Sequence, residues 1–475
     1  MTQPAEAAPS FPEELQEYYT QDLSWSECGD GYRCTEVTVP MDYDEPDGET
    51  ISIALKVLEA SGESHGPLLV NPGGPGGSGL ELVENAQSMF GAPLLENFDL
   101  VGFDPRGVGE STAVRCYDSD QLDEFYSQDY DMTTDGGFDA FEQDMQAFGQ
   151  ACEQNTGELV HHLDTVSAAR DMDVLRGVLG QQQLSYLGFS YGTYLGATYA
   201  DLFPQNVGRF VLDGAIDPAL SYAEVTRGQV EGFDKAYWAY LADCLDNADC
   251  PFSGTVEEAV DQTIEMAEQL ADTPVPSGDP DRPTTASDLY NAITIALYNP
   301  VNWPVLTGAL QSLLDKDDGG QIKFLSDFAN ERDQNGQYPP DTGAFRLIDC
   351  SDYPVDPSRG HSRELADDNA ELSDLFGRAL SFGEVACGAM PVEANRTHEP
   401  VHAEGTPPIV VVGTTGDPAT PYEWAVSLAD QLSDGVLITY EGQGHTAYGG
   451  QSQCVNQAVE AYLIQGKVPD DGLTC

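Results

Sequence analysis

Leu187-Gly188-Phe189-Ser190-Tyr191-Gly192 follows the apolar run Leu184-Ser185-Tyr186 and precedes a helix-like stretch, 193–202. These six residues place Ser190 at the centre of a G-x-S-x-G turn between a strand and a helix. Such a turn is so tight that its flanking positions, here Gly188 and Gly192, must lack side chains, and it leaves the serine hydroxyl exposed above the sheet edge. Alone the pattern is weak, because average Gly and Ser usage produces it by chance on the order of 0.2 times in a chain this long. The surrounding sequence decides its meaning.

An α/β-hydrolase presents nucleophile, acid and base in that chain order. Downstream of Ser190, Pro408-Ile409-Val410-Val411-Val412 reads as a buried strand, and the loop Gly413-Thr414-Thr415-Gly416-Asp417-Pro418 follows it. A second strand-like run, Val436-Leu437-Ile438-Thr439-Tyr440, leads into Glu441-Gly442-Gln443-Gly444-His445. A serine hydroxyl is a poor nucleophile at neutral pH; it needs an imidazole to take its proton and a carboxylate to hold that imidazole's tautomer. Ser190, Asp417 and His445 are the expected triad. Taken singly they read as an ordinary turn serine, an Asx cap before proline and a surface histidine; in this order, each after its own strand, they read as catalytic. His65, His161, His162, His361, His398 and His402 lack the glycine-loop-after-strand setting.

Donors for a developing oxyanion are offered by Asn71-Pro72-Gly73-Gly74-Pro75-Gly76-Gly77-Ser78-Gly79, after the strand Pro67-Leu68-Leu69-Val70. Glycines there let backbone amides approach a substrate closely. The amides of Gly74 and Tyr191 are the expected oxyanion hole, with Gly73 the near alternative. No Gly-Lys-Ser or Gly-Lys-Thr follows, and the spacing does not fit a dinucleotide fingerprint, so a nucleotide cofactor is not expected.

N-P-G-G-P-G-G-S-G at 71–79, F-D-P-R-G-V-G-E-S at 103–111, A-A-R-D-M-D-V-L-R at 168–176, G-F-S-Y-G-T-Y-L-G at 188–196, D-G-A-I-D-P at 213–218, G-D-P-A-T-P at 416–421 and G-H at 444–445 together resemble the secreted actinobacterial tripeptidyl aminopeptidases, relatives of the proline iminopeptidases. The likeness runs from about Trp25 to Cys475. It implies an exopeptidase that releases short peptides, tripeptides by expectation, from free N-termini, with Ser190, Asp417 and His445 at the family's triad positions. The chain departs from the usual pattern at Cys387-Gly388-Ala389-Met390-Pro391, where an aromatic residue is expected before the proline; that bears on the substrate pocket.

The fold class expected is α/β: a mostly parallel central sheet with helices on both faces and an inserted, mainly helical cap. The motifs lie within 67–217 and 405–450, and none falls between Asp217 and Glu404. Residues 25–217 and 405–475 are therefore read as the catalytic domain, 218–404 as a cap over the serine, and 1–24 as a disordered or extended leader. Apolar periodicity in 256–270, 286–298 and 305–314 predicts helices in the cap.

An aminopeptidase also needs a carboxylate to pair with the substrate's ammonium group at a fixed distance from the nucleophile. Asp352 and Asp349, in Leu347-Ile348-Asp349-Cys350-Ser351-Asp352-Tyr353-Pro354, are the candidates, Asp352 first. Asp213 and Asp217 are read as ordering loops near the site, and Arg106 as a structural ion-pair partner. The ten cysteines pair, on the resemblance, as Cys28 with Cys34, Cys116 with Cys152, Cys244 with Cys250, Cys350 with Cys387, and Cys454 with Cys475. No zinc spacing is present and no metal is expected; an oxidising compartment accounts for the cysteines better.

With 81 acidic against 19 basic side chains, the formal net charge is −62. Such a surface repels nucleic acid and anionic membranes. A secreted monomer with its signal removed, acting on peptides and neither binding nucleic acid nor inserting in a membrane, is the expectation. A small-ester esterase or lipase using the same triad is the alternative. A non-catalytic binding protein on the same fold is disfavoured, since such proteins usually lose a triad member.

Overall fold

The computed structural model describes residues 11–29, 31–394, 398–450 and 452–475. Its strands are β1 (Ser26–Glu27), β2 (Tyr32–Pro40), β3 (Thr50–Leu58), β4 (Pro67–Asn71), β5 (Asp99–Phe103), β6 (Leu184–Phe189), β7 (Val207–Asp213), β8 (Ile409–Gly416), β9 (Gly435–Gln443) and β10 (Leu473–Thr474). They form one sheet in the order β1-β2-β3-β5-β4-β6-β7-β8-β9-β10. β3 runs antiparallel to both β2 and β5. From β5 to β10 every pairing is parallel.

The central strands are apolar along nearly their whole length because both faces are covered. Leu68, Leu69 and Val70 of β4, Leu187 of β6, Val211 of β7 and Val410 to Val412 of β8 are fully buried, as expected of parallel strands with helices on each side. The inversion of order at β5-β4-β6 brings the carboxyl ends of β4 and β6 side by side, Asn71 opposite Gly188. Those are the ends from which the glycine loop and the serine turn emerge. This is the α/β-hydrolase fold expected from the motif order.

The inserted segment is helical, as predicted, but its packing divides it. Helices Tyr222–Leu245, Val256–Asp272, Ala286–Leu297, Trp303–Lys316 and Gly320–Ala329 surround a core of their own, with Phe233, Tyr237, Leu289, Ile293, Leu310 and Ile322 at its centre. Farther along, Leu347, Ile348, Cys350, Cys387, Met390, Val401 and Ala403 belong to the cluster that also holds Leu69, Tyr186 and Tyr194. By packing, the core separate from the sheet is built from about 222–329 with Leu375, Phe376 and Ala419, while much of the rest of 218–404 shares the cluster of the sheet's helices. Period alone cannot reveal which apolar face meets which core.

The leader needs correction where it is described. Residues 1–10 lie outside the described residues, but Gln16–Tyr19 is helical. Tyr18 and Tyr19 are buried, the Tyr19 hydroxyl donates to Asp173 Oδ2 at 2.7 Å, and Phe11 stacks on the Tyr19 ring at 4.4 Å. Two adjacent tyrosines with a hydrogen-bond acceptor beneath them are enough to dock the segment.

All ten cysteines form the five expected pairs, leaving none free. Titrating thiols under denaturing, non-reducing conditions should therefore find none. Two or more per chain would contradict the pairing. The buried ion pair between Arg106 and Asp171, 2.7 Å, fulfils the structural role expected of Arg106, whose guanidinium also donates to the carbonyls of Pro40, Met41 and His162.

Candidate active site

Ser190 sits between the end of β6 and the helix Tyr191–Leu202. Its backbone has φ 54° and ψ −125°, a conformation that costs energy for any residue with a Cβ and that the flanking glycines make room for. A Cβ on Gly188 would lie 2.4 Å from the Gly192 carbonyl oxygen, and one on Gly192 would lie 2.8 Å from Asn71 Oδ1. The two glycines are required by contact, as the sequence implied. The Ser190 amide donates to the Asp213 carbonyl at 2.9 Å, tying the turn to the end of β7.

Asp417 directly follows β8 and His445 follows β9 by two residues. His445 Nδ1 lies 2.9 and 3.0 Å from the two Asp417 carboxylate oxygens. That carboxylate is buried and held from the other side by the amides of Ala419, Thr420 and Thr446 and by the Thr420 hydroxyl, at 2.9–3.1 Å. Thr420 Oγ1 is also 3.3 Å from His445 Nδ1. The sequence reading missed Thr420. The signal was available, since a Thr three residues after an Asp is a common local partner for the carboxylate.

Asp213 is fully buried beneath the histidine loop and accepts the Ala447 and Tyr448 amides at 2.7–3.1 Å. Burial pushes its carboxyl up to about 6, against the pull of those two amides. Its loop-ordering role is as expected. Asp217 likewise accepts from the Ala219 amide and Gln431 Nε2. Burial disfavours a charged His445, but the Asp417 carboxylate and its hydrogen bond, with a smaller contribution from Asp213, outweigh it, and the imidazolium pKa lies above its ordinary value.

The glycine loop reaches the nucleophile. A Cβ on Gly73 would come 2.9 Å from both Ser190 Cβ and the Tyr191 nitrogen. The Gly73 amide itself donates to Asn71 Oδ1 at 2.9 Å. Asp104 Oδ1 anchors the loop's exit by accepting from Ser78 Oγ at 2.6 Å and the Leu80 amide at 3.2 Å.

The expected amine anchor is placed differently. Asp352 is 1% exposed, and its carboxylate accepts the Thr165 amide at 2.9 Å and the Thr165 hydroxyl at 2.6 Å. Thr165 Oγ1 is in turn hydrogen-bonded to the Tyr191 hydroxyl. Asp352 thus braces the residue that follows the nucleophile. Asp349, one turn earlier on the helix Ala344–Asp352, is less enclosed. Burial pushes its carboxyl up to about 6, opposed by Arg346 and a hydrogen bond from Tyr222. The departing segment 387–391 is tied by the Cys350–Cys387 disulfide to the helix that carries Asp349; Met390 is buried, and a Cβ on Gly149 would touch Pro391 Cδ at 2.8 Å and Met390 Cα at 3.3 Å. A cavity of about 350 Å³ beside it is lined by Glu142, Gln146, Gln150, Glu153 and 388–391, none of them from the triad loops.

Serine protease Hip1 of Mycobacterium tuberculosis is 36% identical to this chain over 481 residues, covering 96% of the chain and 91% of that protein. Residues 373–475 match the family described as TAP-like protein. The chain belongs to the TAP-like family of α/β-hydrolases. Two other relatives of this TAP-like serine hydrolase carry different names. Carboxylesterase B of M. tuberculosis is 37% identical over 453 residues, covering 93% of this chain and 86% of its own. Tripeptidyl aminopeptidase of Streptomyces lividans is 30% identical over 484 residues, covering 95% and 86%.

Proposed function

We propose that this protein is a secreted serine exopeptidase that removes tripeptides from free N-termini through an acyl-enzyme. The observation that carries the chemistry is the His445–Asp417 pair at 2.9 and 3.0 Å, with Ser190 held in an elbow turn whose amide is tied to the Asp213 carbonyl, next to Gly214, where a Cβ would lie 3.3 Å from His445 Cε1. Ser190 Oγ attacks the scissile carbonyl, forming a C–O bond while His445 Nε2 takes the hydroxyl proton. The oxyanion is stabilised by the Gly74 and Tyr191 amides. His445 returns the proton to the departing nitrogen as the C–N bond breaks, and water, deprotonated by the same imidazole, releases the peptide acid. No step calls for a metal or an organic cofactor.

Peptide substrates are supported by the relatives named as a serine protease and a tripeptidyl aminopeptidase. Export is supported by five disulfides. Among the described residues no helix is long and apolar enough to cross a membrane. Asp349 is our candidate for the carboxylate that receives the substrate's ammonium group and so counts the residues removed.

The relative named carboxylesterase B favours a second reading, hydrolysis of small esters. One comparison separates the two. The wild type should cleave a free-amino tripeptide anilide at least tenfold better in kcat/KM than its N-acetylated form, and Asp349→Asn should erase most of that preference. Because the Asp349 carboxyl is pushed up to about 6, it is neutral below that pH, and the same preference should shrink as pH falls through it. Equal rates on both anilides with faster turnover of simple esters would support the esterase.

A further inference from the structure

Tyr298 caps the helix Ala286–Leu297 at its carboxyl end, in the insertion, yet it touches the catalytic histidine twice. Its carbonyl accepts the His445 amide at 2.8 Å, and its ring meets the imidazole edge-on, 5.0 Å between centroids at 74°. Gly444 is pressed against the same junction: a Cβ there would lie 2.9 Å from the Tyr298 carbonyl oxygen and 3.0 Å from Pro300 Cδ. On its other side the ring packs on Phe233 at 6.2 Å, so its orientation is fixed from both directions. Tyr298 nevertheless remains 37% exposed, and Val301, three residues on, is 63% exposed. An anchored aromatic ring left open beside a reacting group is a surface for something apolar.

The chemistry says which part of a substrate meets it. His445 must hand its proton to the departing nitrogen, so that nitrogen comes within about 3 Å of Nε2. The residue attached to it then lies within a side chain's length of whatever packs on the imidazole. The acyl portion is oriented instead by the oxyanion donors. There another exposed aromatic, Phe345 at 52%, stands by the glycine loop, its nitrogen 3.2 Å from where a Gly76 Cβ would be.

We propose that Tyr298 walls the subsite for the first residue after the cleaved bond and selects apolar residues there. This rests on the peptidase reading above and adds a substrate class to it: peptides whose fourth residue is apolar. With a net charge of −62, acidic residues are repelled over the whole surface, so the informative contrast is apolar against neutral polar.

Four free-amino hexapeptides Ala-Ala-Ala-Xaa-Ala-Ala, with Xaa as Leu, Phe, Ser or Asn, test this by the rate at which the tripeptide is released. The wild type should favour Leu and Phe over Ser and Asn by about tenfold in kcat/KM, the scale expected of a one-sided apolar contact. Tyr298→Phe should keep the preference. Tyr298→Ala should reduce it to within about twofold, and Tyr298→Gln, which keeps a side chain in the gap, should do the same. A wild type that cleaves all four equally overturns the proposal alone. So does a Tyr298→Ala that slows all four by one factor and moves the acid limb of the pH profile, the signature of a loosened His445. A wild type that cleaves none while hydrolysing p-nitrophenyl butyrate overturns the peptidase reading and the proposal with it.

Discussion

Ser190→Ala should lower kcat toward a free-amino tripeptide anilide by a factor on the order of 10⁶, the loss typical when a triad nucleophile is removed. The fold should survive. Alanine carries the same single Cβ as serine, so the strained φ of 54° costs no more than before, and the turn's amide bond to the Asp213 carbonyl is a backbone contact. Circular dichroism and the melting temperature should match the wild type, while reaction with a fluorophosphonate should disappear. A variant that folds and keeps more than a few per cent of turnover would remove Ser190 from the chemistry.

Asp417→Asn should cost about 10⁴-fold in kcat, ~5.4 kcal/mol of transition-state stabilisation. An amide can present its NH₂ to Nδ1 and so favour the wrong tautomer, leaving Nε2 protonated when it should be a base. The pH profile gives a second reading of the same substitution. Because His445 is held above its ordinary value chiefly by the Asp417 carboxylate against the effect of burial, wild-type kcat/KM should fall on the acid side starting above the usual histidine range. The neutral form is the active one, so activity rises with pH through that pKa. Removing the carboxylate's charge should shift the limb to lower pH in whatever activity remains. A limb that stays in place would mean that some other group sets it.

The features most legible in the sequence are those fixed by covalent spacing. The strand-turn-helix around Ser190 follows from Gly188 and Gly192, whose absent side chains are required by contacts within a few residues. Asp417 and His445 follow from buried strands whose apolar runs are unambiguous, β8 and the first half of β9. Our preference for Gly74 over Gly73 as oxyanion donor rests on one hydrogen bond, from the Gly73 amide to Asn71 Oδ1, a reason that the sequence does not contain.

The sequence cannot rank Asp352 against Asp349 on physical grounds, because they are three residues apart on one helix and only packing determines which of them is the more enclosed. The Thr165 amide and hydroxyl, nearly two hundred residues away in sequence, claim Asp352, and no local pattern announces them. The same holds for 338–355 and 386–403. Their apolar residues look equally suited to either core, and their assignment to the sheet side depends on contacts with helices far along the chain. Tyr298 carries no motif at all; its place against His445 exists only once the inserted helices are docked.

The most direct test of the account is to incubate the purified enzyme with a free-amino decapeptide of ten different residues and follow the products by mass spectrometry. The first product should be the N-terminal tripeptide with its complementary heptapeptide, followed by the next tripeptide, and the N-acetylated decapeptide should stay largely intact. Internal fragments from the acetylated peptide, or release of single amino acids from the free one, would contradict this.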